Sequence, residues 1–166
     1  MNSQDIFKHA LAYERKIRDL YLSAVETIDD NRGKSIFKAL ADDEQSHVDF
    51  LEYSLDLLAS AGEIDVEKLG SAIPAPVEDR IQQMKVKIPE QMLGDVKRIL
   101  NAALVLEIET SNFYKEACEN SQGRIREILE KFYEIEQRHV VVVQIELDHA
   151  IGSGFWFDFM ETDMED

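Results

Sequence analysis

The stretch "EIEQRHVVVVQ", Glu134 to Gln144, admits two readings. Four consecutive valines suit a buried β-strand, whereas Glu136 and His139, three residues apart, share one face of a helix. The residues before the valines decide between them. Ile125, Leu129, Phe132, Glu136, His139, Val143 and Glu146 follow three-and-four spacing with no glycine or proline to interrupt it after Gly123. About three turns of helical periodicity lead into Val140–Val143, so the spacing predicts that the valines continue a deeply buried helix and that burial overrides their weak helix propensity.

The same period recurs upstream. Ile6, Ala10, Tyr13, Ile17, Leu20, Ala24 and Ile28 predict a first helix over about 3–29. Phe37, Leu40, Leu51 and Leu58, with Glu44, His47 and Ser54 on the same face, predict a second that ends near Gly62. Val96, Ile99, Ala103, Leu106, Thr110, Phe113 and Ala117 predict a third, which stops at "ENSQG". Between the second and third, residues 62–92 hold Gly62, Gly70, Pro74, Pro76 and Pro89 among charges. That segment is longer than a helix-to-helix turn and reads as a crossover. The expected fold is therefore all-α: a four-helix bundle of two antiparallel hairpins over residues 1–150, followed by an aromatic and acidic tail, 151–166.

Asp and Glu number 34 against 18 Lys and Arg, a formal net charge of -16, which excludes nucleic acid and disfavours anionic membrane surfaces as partners. Cys118 is the only cysteine, so a disulfide or a thiolate metal cage cannot form within the chain; a small core residue is expected there. The first residues, "MNSQDIFKHALAYERK", lack a signal-peptide core, and no segment approaches the roughly 20 apolar residues of a membrane span, so a cytoplasmic protein is expected.

The second half repeats the first. "DEQSHV" returns as "IEQRHV", and "YERKIRDLY" more faintly as "LEIETSNFY". Glu14 to Glu107 spans 93 positions, while Glu44 to Glu136 and His47 to His139 each span 92. Tyr21 and Tyr114 each follow their helix's glutamate by seven residues, two turns along the same face. Glutamates on apolar stripes are costly to ionise unless a cation compensates, and no lysine or arginine occupies the stripe centres. One Glu from each of two helices and a Glu-x-x-His from each of the other two give four carboxylates and two imidazoles, the established ligand pattern of di-iron and di-manganese bundle proteins. Four carboxylates balance two divalent ions, and oxygen and imidazole donors without thiolate favour iron or manganese, with zinc able to occupy the same ligands in purified samples. Without metal, the clustered carboxylates are expected to hold protons that metal entry would release.

Glu-x-x-His is a cheap motif here. Composition alone gives roughly 0.5 such pairs, and three occur, including Glu146 with His149. That pair lies too far along the fourth helix to share the level of Glu107, and its repeat equivalents, Ser54 and Leu57, carry no ligand pattern. Glu146 is therefore expected to be a capping or surface group and His149 exposed. Glu109 points about 200° away from Glu107 and is expected to face solvent, as is His9. For Tyr21 and Tyr114, core aromatics with local hydrogen bonds and donors to the ligand carboxylates are equally consistent readings. Phe155, Trp156, Phe157 and Phe159 are expected to pack across the bundle end or against a second subunit.

At these residues the chain resembles the rubrerythrin-like branch of the ferritin-like di-iron carboxylate family, over residues 1 to about 150. The resemblance implies Glu14, Glu44, His47, Glu107, Glu136 and His139 as ligands of two Fe ions, with Glu44 and Glu136 able to bridge them. It implies Fe(II) oxidation coupled to reduction of hydrogen peroxide or dioxygen, in a homodimer; the alternative is an iron-binding or sequestering protein without turnover. Two features depart from rubrerythrins. Thr110 stands where they carry an additional glutamate, and one cysteine cannot build a rubredoxin-type site, so electrons are expected from a separate donor protein.

Overall fold

The computed structural model describes residues 1–74 and 86–157. Four long helices carry the described chain: α1 (Ser3–Thr27), α2 (Asn31–Ala59), α3 (Glu90–Glu119) and α4 (Gly123–Gly152). Helix α1 packs on α2 and α3 packs on α4, the two hairpins meeting chiefly through α1 and α3. Side chains cap the first hairpin: Asn2 Oδ1 accepts from Asp5 N, and Asp30 Oδ2 accepts from Gly33 N at 2.9 Å. Gly33 is required by a close approach, since a Cβ there would lie 2.8 Å from Ile28 Cγ2 and 2.9 Å from Trp156 Cζ2.

The valines are helical, but the expected deep burial holds only in part. Val142 and Val143 are buried, Val140 is half-buried and Val141 is 47% exposed. Successive helical residues diverge by about 100°, so four in a row cannot all face one core.

The crossover is more ordered than its composition suggests. A 3₁₀ turn, Val66–Lys68, places Val66 in the core with Ile64 and Leu69. Farther on, strand β1 (Val86–Lys87) pairs antiparallel with β2 (Phe155–Trp156), Val86 opposite Trp156. The tail thus folds back across the bundle end. Trp156 is buried, donates Nε1–H to Asp30 Oδ2 at 3.0 Å and stands edge-on to Phe37. Phe159 and Pro76 lie outside the described residues.

This return also overturns the surface reading of Glu146. It is 1% exposed, and its Oε1 accepts the backbone N–H of Phe157 at 2.8 Å. Its place on the apolar stripe of α4 already pointed inward; the amide brought back by the tail supplies the partner that the stripe could not show. His149, expected exposed, is half-buried and stacks on Phe157. Cys118 is buried, as expected; Glu109 and His9 are exposed, as expected.

Two apolar cores result. One gathers Tyr21, Phe37, Leu40, Leu100, Val143 and Trp156; the other gathers Phe7, Leu51, Tyr114, Leu129, Phe132 and Ile135. A polar layer lies between them in the chain order of every helix.

Candidate metal centre

Each helix contributes to that layer from a buried stripe: Glu14 between Leu11 and Ile17 on α1, Glu107 between Ala103 and Thr110 on α3, and the pairs Glu44/His47 on α2 and Glu136/His139 on α4. All six side chains are fully buried. Their ligand atoms form two groups, Glu14, Glu44, His47 and Glu136, and Glu44, Glu107, Glu136 and His139; within each, the atoms lie within 4.8 Å of one another. Glu44 and Glu136 belong to both.

The hydrogen bonds around the layer all point outward. Tyr21 donates to Glu107 Oε1 at 2.9 Å, and Tyr114 donates to Glu14 Oε1 at 2.8 Å. These reciprocal bonds need α1 and α3 antiparallel, so each tyrosine serves the other helix's glutamate. Both tyrosines are therefore core aromatics that also donate to the central carboxylates.

The histidines are held from behind as well. His47 Nε2 donates to the Gly70 carbonyl at 3.0 Å, and His139 Nε2 donates to Asp43 Oδ2 at 2.7 Å. With Nε2 carrying the donated hydrogen, each neutral ring presents the Nδ1 lone pair inward, the orientation a metal ligand needs. Asp43 is fixed in turn by Ser71 Oγ and by Ala72 N, both at 2.7 Å.

Inward-facing atoms, by contrast, have no hydrogen-bond partner among the described residues: Glu14 Oε2, Glu107 Oε2, both oxygens of Glu44 and Glu136, and Nδ1 of His47 and His139. His139 Nδ1 lies 2.8 Å from Glu44 Oε1 without hydrogen-bond alignment. Among the described residues these carboxylates pair only with the two histidines. Buried polar atoms left without partners cost about 1–3 kcal/mol each, and a cluster of them converging on two points suits a pair of cations.

The electrostatics of the metal-free pocket are split. Burial, then the charges of Glu14 and Glu107, push Glu44 and Glu136 well above the usual carboxylate range, so these two hold protons. Glu14 goes the other way: burial raises it, but the neighbouring carboxyl of Glu44 and the facing His47 imidazolium outweigh burial and bring its pKa to about 2. Glu107 is lowered too, its burial offset by the charge of His139. The expectation of protonated carboxylates therefore holds for the central pair and fails for the outer pair, because each outer glutamate faces an imidazolium. Burial disfavours charge on His47, yet Glu14 and Glu44 outweigh it and raise its pKa to about 10. His139 is also raised, against burial, by the carboxyl groups that face it, Glu44 and Glu107, and by its bond to Asp43.

Asp43, Gly70, Ser71 and Ala72 were not predicted from the sequence. Asp43 did leave a trace: it sits one turn before His47, on the buried side of α2, where the repeat has Ile135. Thr110, at the position of the additional rubrerythrin glutamate, is buried and donates Oγ1–H to the Leu106 carbonyl at 2.7 Å. It offers the pocket no carboxylate.

No protein-family model matches the chain, and no solved structure matches it. A bacterioferritin of Brucella melitensis biotype 1 is 36% identical over 81 residues, 47% of this chain and 48% of that protein. The fold is ferritin-like. The chain spans about half the length of the curated relative it matches. Among the described residues no helix is long and apolar enough to cross a membrane.

Proposed function

We propose that the protein is a cytoplasmic di-iron carboxylate oxidoreductase of the rubrerythrin-like branch, coupling Fe(II) oxidation to reduction of hydrogen peroxide or dioxygen. The supporting observation is the pocket of partnerless inward atoms in two groups that share Glu44 and Glu136. Glu14 and His47 would hold one ion, Glu107 and His139 the other, with Glu44 and Glu136 between them. Two adjacent iron ions, when bound, supply two one-electron steps to a single oxidant molecule.

The chain's own groups do the rest. Tyr21 and Tyr114 fix the outer carboxylates, Asp43 and the Gly70 carbonyl fix the imidazoles, and the two apolar cores exclude water. Metal entry must displace the protons held on Glu44, Glu136, His47 and His139, so affinity rises with pH. Manganese suits the same donors, and zinc can occupy them in purified material. A separate electron-donor protein and a homodimer complete the proposal.

Stopped-flow oxidation of the Fe(II)-loaded protein by hydrogen peroxide tests the reading. The wild type is expected to oxidise iron faster than free Fe(II), and a Glu44→Ala, Glu136→Ala double variant to lose the advantage. Identical traces would remove the enzymatic claim. The similarity to a bacterioferritin favours a second reading, iron binding or sequestration without turnover. Firm iron stoichiometry with negligible peroxide consumption under a supplied reductant would select it.

A further inference from the structure

The two tyrosines that serve the pocket have different surroundings. Tyr21 stacks near Phe37, centroids 6.3 Å apart, and Phe37 meets Trp156 at 6.1 Å; that row ends inside the protein, with Trp156 at 1% exposure. Tyr114 instead lies 5.5 Å from Phe113, which lies 5.2 Å from Tyr13 and 6.4 Å from His9. This second row ends in an open cavity of about 540 Å³, walled by those three rings with Ile6, Ala117 and Glu116. At its inner end the Tyr114 hydroxyl touches Glu14.

We propose that this cavity is a docking port for a small, uncharged, fused-ring aromatic reductant of the hydroquinone class, whose electrons enter the carboxylate–histidine pocket through Phe113 and Tyr114. The inference rests on the oxidoreductase reading above. Three rings at stacking distances offer flat faces to a planar guest. The volume exceeds a single ring's need. The rest of the lining is Met1, Asn120 and Glu116, with no lysine or arginine, and on a chain of charge -16 the surrounding field disfavours anionic guests. Electron tunnelling decays steeply with distance, and the rings join the cavity to the Glu14 carboxylate through centroid steps of 5.2 and 5.5 Å, Tyr13 to Phe113 to Tyr114.

The electron balance closes. A hydroquinone becomes a quinone by losing two electrons and two protons. The electrons reduce two trivalent ions to divalent. The protons leave at the open mouth, to water and to His9, whose Nδ1–H is donated to the Asp5 carbonyl so that Nε2 is its basic nitrogen.

Metal-free protein titrated with 1,4-naphthoquinone tests the port independently of any redox activity. Saturable NMR shifts of the His9 and Phe113 ring signals are expected, with binding weakened about tenfold by Phe113→Leu, which keeps apolar bulk but removes the ring. His9→Ala, at an exposed position, provides a second variant that should not disturb folding, and it should weaken binding in the same sense. No saturable shift in the wild type, or binding indifferent to both variants, would overturn the port. In the second arm, oxidised iron-loaded protein is mixed anaerobically with 1,4-naphthohydroquinone. Slower iron reduction in Phe113→Leu at saturating hydroquinone is expected, and an unchanged saturating rate would overturn the route through the rings. Iron that never oxidises in the loaded protein would instead sink the oxidoreductase reading while leaving the quinone titration standing.

Discussion

The α1–α2 hairpin and the α3–α4 hairpin present the pocket with the same groups but support them differently. Glu14, Glu44, His47 and Tyr21 have counterparts in Glu107, Glu136, His139 and Tyr114, and the tyrosine bonds cross between halves with nearly equal lengths. Behind the histidines the equivalence ends. His139 donates to a carboxylate, Asp43, at 2.7 Å, whereas His47 donates to the neutral Gly70 carbonyl and has the same Asp43 oxygen only at 3.9 Å. An anionic partner makes an imidazole a stronger donor to a cation than a carbonyl does. The inner pattern is thus shared while the outer one differentiates two otherwise equivalent positions.

The largest expected effect removes what the halves share. Anaerobic Fe(II) at about a thousandfold above its dissociation constant should stabilise the wild type by roughly 4 kcal/mol, or about 10 °C in Tm. Replacing both Glu44 and Glu136 by alanine should abolish the shift in a calorimetric scan; a retained shift would mean that iron binds elsewhere.

Next comes the difference itself. Asp43→Asn should weaken metal binding about 10–100-fold at the Glu107/His139 position, leaving the Glu14/His47 position closer to wild type. Equilibrium titration should then split into two steps. A uniform loss at both positions would mean that Asp43 acts on the whole pocket, and the halves would not be distinct.

Metal-free stability should depend on pH from both sides. The pKa of His47 is raised to about 10, so its contribution is complete below the ordinary value of 6.5 and fades as pH rises toward 10. The pKa of Glu14 is depressed to about 2, so its contribution is present above 4.5 and fades as pH falls toward 2. Chemical denaturation across pH checks this, and His47→Gln should shrink both limbs, because His47 also helps hold Glu14 down, while His139 keeps its own share of the alkaline limb.

Smaller still, Tyr21→Phe and Tyr114→Phe should each cost the metal-free protein about 1–2 kcal/mol. Equal losses would support the equivalence of the crossed bonds. Trp156→Phe, which breaks the bond to Asp30 at the end of the first hairpin, should cost about 1 kcal/mol, with no counterpart loss in the second.

What the sequence revealed and what it hid divide along the same line. Glu44, His47, Glu136 and His139 were legible because helical spacing and the 92-residue repeat both mark them. The bundle followed from apolar periodicity interrupted at few places. Gly70, Ser71 and Ala72 were illegible because their contacts cross from a loop to α2 over separations of 23, 28 and 29 residues, where no period applies. Glu146 was misread against its own position: it falls on the three-and-four stripe of α4 and is buried there, and what periodicity could not announce was its hydrogen-bond partner, the Phe157 amide. Val141 shows the opposite error, apolar composition taken for burial on a face that the helix turns outward.

The Ala72 amide, bonded at 2.7 Å to the other oxygen of the carboxylate that steadies His139, gives the crossover a reporting role. Isotope uptake at that one backbone position should slow when iron fills the bundle and quicken when it leaves. A single peptide group outside the helices would then serve as a built-in gauge of loading, readable without any spectrum of the metal itself; uptake indifferent to iron would show that the gauge is disconnected.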